Sequence, residues 1–201
     1  MKYQQFKIIL NTSIFNDTTS KADLLEKIAN SPSRYIGLFR PTLPKLKLLQ
    51  NLTQSQEIRF GDAFERLIGE YLAELGYTNL EKRYLWNNEH LNVDQCFTKN
   101  DKYYFAEQKV RDDHDSTKKR GQIENFSKKV DLMLSKYGNN LEGFMFFIDP
   151  DLEKNKNYYK NEIKILVEKH NIQLYVCYGK DFFEILGHFE VWDDIINNLK
   201  Q

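Results

Sequence analysis

The run EGFMFFIDP, residues 142–150, is the strongest constraint on what this chain can fold into. It is too short and too aromatic for a comfortable helix and reads as a central strand. Amphipathic helical segments stand on either side of it, QIENFSKKVDLMLSKY before and NKNYYKNEIKILVEKH after, and a second buried β-like run, IQLYVCYG, follows. Upstream, EIRFGDAFERLIGEYLAELGY is the clearest helix: Phe60, Phe64, Leu67, Ile68, Tyr71, Leu72 and Leu75 recur at helical spacing, and Gly76 supplies the stop. Between these lie LEKRYLW and HLNVDQCFT, read as strands, the turn KNDK, and the strand YYFAEQKVR. DFFEILG and FEVWDDIINNLK close the chain in helices. The order helix, three antiparallel strands, helix, strand, helix, strand implies an α/β fold with a mixed central sheet flanked by helices. At 201 residues one domain is expected, with a helical and arm region at 1–56, a core at 57–180 and C-terminal helices at 181–201.

Lysine plus arginine equals aspartate plus glutamate, 29 each, so net charge exerts no general pull toward nucleic acid or membrane. Any site for a polyanion must come from local clustering. Cys96 and Cys177 each lie inside an apolar β-like run, which suits buried thiols in a reducing cytosol, and the absence of a CxxC pair argues against structural zinc. No run approaches membrane-spanning length, so a soluble cytoplasmic protein is expected.

The chemistry concentrates in LNVDQCFTKNDKYYFAEQKVR, residues 91–111. If its second arm is a strand, Tyr103, Phe105, Glu107 and Lys109 share one face, because strand side chains alternate. Ending an apolar face on an acid and a base incurs desolvation unless something compensates it, and a bound cation or phosphate does so. Asp94 lies on the adjacent arm, 13 positions before Glu107, and chain reversal at residues 99–102 brings the two acids close. Two hard oxygen ligands are what magnesium needs for phosphodiester hydrolysis, with phosphate and water completing the octahedron. Lys109 points the same way, to position the attacking water or stabilise the pentavalent phosphorane.

This arrangement, Val93-Asp94 followed by Glu107-Gln108-Lys109 on a hairpin preceded by a helix, resembles the active site of the PD-(D/E)xK nuclease superfamily, with Val93 where proline is usual. The resemblance covers residues 60–178 and implies a restriction-endonuclease-like core in which Asp94, Glu107 and Lys109 are catalytic and Asp94 and Glu107 bind metal. In that superfamily the preceding helix often adds an acid to the metal shell; FGDAFERLIGEYL matches and puts Glu65 in the role. Small size and the polar stretch EQKVRDDHDSTKKRGQ directly after the strand, of which RDDHDSTKKRGQ reads as a loop, look most like a type II restriction endonuclease. That family would imply magnesium, a double-stranded DNA substrate, a homodimer, products with a 5′-phosphate and a 3′-hydroxyl, and a cognate DNA methyltransferase as system partner.

Independently of the resemblance, the segment from Lys109 to Lys129 holds seven basic residues against four acids. Arg111, Asp113, His114, Lys118, Lys119, Arg120, Gln122 and Asn125 have the chemistry of phosphate and base-edge contacts. The aspartates at 112, 113 and 115 are unexpected against a polyanion; they have the chemistry to accept from a cytosine amino group, orient nearby basic residues or complete a dimer contact. His114 reads as a loop-ordering partner or base contact ahead of a metal ligand or general base. The arm around Arg34 and Arg40, where basic and aromatic residues alternate, is a second candidate surface. Two alternatives stay open on the same residues: a structure-specific resolvase or repair nuclease, and a non-catalytic DNA-binding module.

Overall fold

The computed structural model describes residues 1–15, 19–35, 37, 39 and 42–201, without the side chains of residues 19–21, 24 and 44. The chain divides into two compact units, Lys2–Leu67 and Ile68–Gln201 with Met1.

The first unit is helical: α1 (Tyr3–Ile14), α2 (Thr19–Asn30), a 3-10 turn at Pro32–Arg34, and the first part of α3 (Pro44–Glu74). Residues 3–10 are the first two turns of α1. Helix α3 begins 13 residues earlier than the expected start at Glu57, at a proline well suited to a first helical turn. Arg66 Nη1 donates to Ser13 Oγ at 3.0 Å and Arg59 Nη1 to the Ile14 carbonyl at 3.5 Å, tying α3 to the end of α1.

The second unit holds β1 (Thr78–Asn79), β2 (Arg83–Trp86), β3 (Glu89–Asn92), β4 (Gln95–Lys99), β5 (Lys102–Lys109), α4 (Ser116–Tyr137), β6 (Leu141–Phe147), α5 (Lys156–His170), β7 (Gln173–Tyr178), α6 (Asp181–Ile185) and α7 (Glu190–Leu199). The central sheet has the order β1-β4-β5-β6-β7, antiparallel from β1 to β5 and parallel from β5 to β7. It is therefore mixed, as expected, and α4 and α5 form the two crossovers that parallel pairing demands. Strand β7 forms one edge of the sheet, with Leu174, Cys177 and Tyr178 buried as expected.

Two expectations need correction. HLNVDQCFT is not one strand: it breaks at Val93-Asp94, and β2 and β3 pair only with each other in a separate two-stranded sheet. The physical reason is burial of Val93, 2% exposed, whose N–H donates to the Lys82 carbonyl at 2.9 Å and turns the chain from one sheet into the other. The polar stretch 111–122 is also mostly not a loop. Asp115 caps α4, its Oδ1 accepting from the Thr117 and Lys118 N–H groups at 3.0 and 2.9 Å, so the helix starts at Ser116.

Period-two alternation sorts the strands onto two cores. Phe105, Met145 and Phe147 point to one side, where α4 contributes Ile123, Phe126, Val130 and Met133 and α5 contributes Tyr159, Ile163 and Leu166. On the opposite side Phe97 stacks on Tyr104 and Phe146 on Phe182, with ring centroids 5.1 and 4.7 Å apart. Each phenylalanine buried this completely contributes roughly 2 kcal/mol of transfer free energy. Gly143 sits beside Phe105 on the first side, where an added Cβ would lie 2.5 Å from the Phe105 ring and 2.6 Å from Leu174. Only a glycine admits that approach. Cys96 and Cys177 are buried and free, as expected.

Candidate active site

Strand β5 carries Phe105, Glu107 and Lys109 on its α4-facing side, the alternation expected from the sequence. Strand β4 ends at Gln95, opposite Ala106, so it offers no backbone acceptor further along β5. The Asp94 carboxylate takes that place: its Oδ2 accepts from the Gln108 N–H at 2.7 Å. The chain break at Val93 thereby fixes the first acid against the strand that bears the second.

Lys109 Nζ gathers three oxygens. It lies 2.7 Å from Glu107 Oε1, 2.9 Å from the Gln108 carbonyl and 3.6 Å from Asp94 Oδ2. Burial alone would lower the Lys109 pKa, but Glu107 and Asp94 outweigh that and hold it above its ordinary 10.5. Lys109 is therefore an ammonium at neutral pH. Burial first, and the neighbouring Glu107 second, push Asp94 above its ordinary 3.8, and Lys109, the Gln108 N–H and Lys129 offset only part of this.

Lys129 is the member that sequence reasoning missed. From α4 its Nζ donates to Glu107 Oε2, and both side chains are only 5% exposed. Its signal was present in the helical spacing: Lys129 stands three residues after Phe126 and four before Met133, on the apolar stripe, so a lysine there must be buried.

The donor set suits a hard divalent cation. Two carboxylates and a backbone carbonyl already converge on one positive charge, the Lys109 ammonium, and magnesium prefers a few protein oxygens with substrate phosphate and water for the rest. Among the described residues no three His, Cys, Asp or Glu side chains cluster as a complete metal cage. Glu65 is half-buried on α3 in the Lys2–Leu67 unit.

The residues after β5 have diverse positions. Asp112 is fully buried and accepts from the Asn155 N–H at 2.7 Å, Asn155 Nδ2 at 2.8 Å and Tyr178 OH at 2.9 Å. It anchors the loop to α5 and β7, and Asp115 is a helix cap, so two of the three unexpected aspartates serve the fold. Exposed Asp113 lies 3.6 Å from His114 Nδ1. Gln122 is engaged internally, accepting from Tyr159 OH at 2.8 Å. Lys119 Nζ rests 4.4 Å from the Tyr158 ring centroid. Lys118 and Arg120 are exposed in the first turns of α4, while Arg111 and Asn125 are half-buried. Arg34 is exposed in the 3-10 turn of the first unit, and Arg40 lies outside the described residues.

The family model described as "Type II restriction endonuclease, HinfI" matches residues 2–89 and 81–201, overlapping stretches that together span nearly the whole chain. No curated protein and no solved structure matches it.

Proposed function

Because this chain belongs to the type II restriction endonuclease family HinfI and is a site-specific deoxyribonuclease, we propose that it hydrolyses double-stranded DNA with magnesium on a PD-(D/E)xK core, leaving a 5′-phosphate and a 3′-hydroxyl. The observation that supports this reading is the convergence of Asp94, Glu107 and the Gln108 carbonyl on the Lys109 ammonium. The helix, antiparallel pair and parallel crossovers around it agree with such a core.

In this reading Asp94, Glu107 and the Gln108 carbonyl would hold magnesium. Bound there, the metal supplies positive charge against the charge that develops on the scissile phosphate. Lys109, released from the acids, donates hydrogen bonds to the attacking water and to a phosphate oxygen. Lys129 holds Glu107 from behind. The water oxygen bonds to phosphorus as its proton passes to bulk solvent, the bond to the 3′ oxygen breaks, and that oxygen leaves as the 3′-hydroxyl after taking a proton from solvent.

Arg111, Asp113, His114, Lys118, Lys119, Arg120, Asn125 and Arg34 are proposed DNA contacts, with Lys118 and Arg120 best exposed for phosphates. Gln122 is a weaker candidate because Tyr159 occupies it. Cutting both strands calls for two such centres, hence a homodimer, and a host carrying the enzyme needs a methyltransferase to protect its own sites. Among the described residues no helix is long and apolar enough to cross a membrane, in keeping with a cytoplasmic enzyme.

The test is digestion of unmethylated phage DNA by the wild-type chain, with magnesium or with chelator, beside Asp94→Ala and Lys109→Ala. Discrete magnesium-dependent fragments that both variants fail to produce are expected. A smear would mean a nonspecific or repair nuclease, preferential cutting of branched duplexes a resolvase, and full cutting by either variant a different active site.

A further inference from the structure

Among the described residues the β2–β3 hairpin has no partner strand in the central sheet, and its two faces differ sharply. The register pairs Arg83 with Asn92, Tyr84 with Leu91, Leu85 with His90 and Trp86 with Glu89. Alternation then puts Tyr84, Leu91 and Trp86 inward, where they join the core against α4. Arg83, Leu85, His90 and Asn92 share the outward face and all are exposed, Leu85 at 67%. Asn87 and Asn88 close the ribbon with φ of +49° and +63°, the left-handed pair that a tight two-residue hairpin turn requires. The outward face is thus a display anchored from behind.

We infer that this ribbon enters the major groove of duplex DNA and that Arg83, His90 and Asn92 read base edges there. The inference rests on the sequence-specific cleavage above and names the element that supplies the specificity. A two-stranded ribbon, with strands about 4.8 Å apart, fits a groove about 12 Å wide. Arginine matches the two acceptors of guanine, asparagine the acceptor and donor of adenine, and an exposed leucine suits the thymine methyl. No acid shares this face. The flanking acids Glu81 and Glu89 are drawn off by lysines of α4, Lys136 at 3.6 Å and Lys128 at 3.4 Å, which leaves Arg83 as the charge presented to DNA. The first turns of α4 are less suited to base reading, with Gln122 bonded to Tyr159 and Lys119 seated on Tyr158.

The tether to the active site is short. A single residue, buried Val93, separates Asn92 from Asp94, a span of about 7 Å in extended chain. Bases gripped by the ribbon therefore fix which phosphate reaches the acids.

The experiment is selection of bound duplexes from a random library by the full chain in calcium, for the wild type and for Arg83→Ala, His90→Ala and Asn92→Ala, followed by cleavage of the selected site and its single-base-pair variants. Arg83→Ala or Asn92→Ala is expected to lose about 5- to 150-fold of discrimination at one base position, with nonspecific binding nearly unchanged. Selection of the wild-type sequence by all three variants would overturn the inference. So would an equal loss on every sequence accompanied by a salt slope smaller by about one, which marks a phosphate contact. A wild-type chain that selects no sequence overturns it as well, whereas one that selects a sequence without cutting it refutes the catalytic reading and leaves the ribbon result standing.

Discussion

Lys129 and Glu107, 22 residues apart in sequence, form an ion pair in which each side chain is 5% exposed. The second Glu107 oxygen is held by Lys109 at 2.7 Å. One carboxylate thus sits between two ammonium groups, with Asp94 close to one of them. The arrangement is charge-balanced but costly to desolvate.

Lys129→Met removes one partner from this buried pair. The expected loss is about 3 kcal/mol of unfolding free energy, because Lys109 remains to share the Glu107 charge. Replacing both partners, as Lys129→Met with Glu107→Leu, should restore most of the stability while abolishing cleavage. Urea titration checks the first effect, and a loss of well under 1 kcal/mol would contradict the burial.

Asp94→Asn tests the raised Asp94 pKa. A carboxyl whose folded pKa lies above its unfolded value binds protons more readily in the native state. Its contribution to stability is therefore full below the ordinary 3.8 and is lost as pH rises through the raised value. At neutral pH the metal-free Asn variant should have a higher melting temperature than wild type, and the gap should close on acidification. A lower melting temperature for the variant at pH 7 would contradict this.

Metal addition should reverse that order. A divalent ion at one hundred times its dissociation constant stabilises the folded wild type by about 2.7 kcal/mol. Calorimetry with calcium, which avoids turnover, should show the shift for wild type and its absence for Asp94→Ala. An equal shift in the variant would place the ion elsewhere.

Asp112→Ala leaves the Asn155 N–H, the Asn155 amide and the Tyr178 hydroxyl buried without their acceptor. A loss of about 3 kcal/mol is expected, with the sequence preference of the folded fraction unchanged. Asp113→Ala, on an exposed side chain, should be within about 0.5 kcal/mol of wild type. Thermal melts of the two side by side separate the roles.

Gly143→Ala forces a methyl into contact with Phe105 and Leu174 and should cost about 1–3 kcal/mol. A stability equal to wild type would mean that the Phe105 ring can yield.

What the sequence determined by itself lies within single elements or across a tight turn. Strand alternation put Glu107 and Lys109 on one face, and the reversal at residues 99–102 brought Asp94 to them, because a period of two and a two-residue turn leave no other register. The helix, strand, helix, strand order after β5 was legible for the same reason, in runs whose periodicity stays local. Tertiary structure decided the rest. Lys129 reaches Glu107 only because the crossover lays α4 on that face of β5. Burial of Val93 splits one apparent strand between two sheets and frees β2–β3 as a separate ribbon. Asp112 and Asp115, indistinguishable from their acidic neighbour by composition, differ because one meets donors from α5 and β7 and the other meets the open N–H groups of a helix end. Partners contributed by distant segments are set by packing, and no local spacing encodes them.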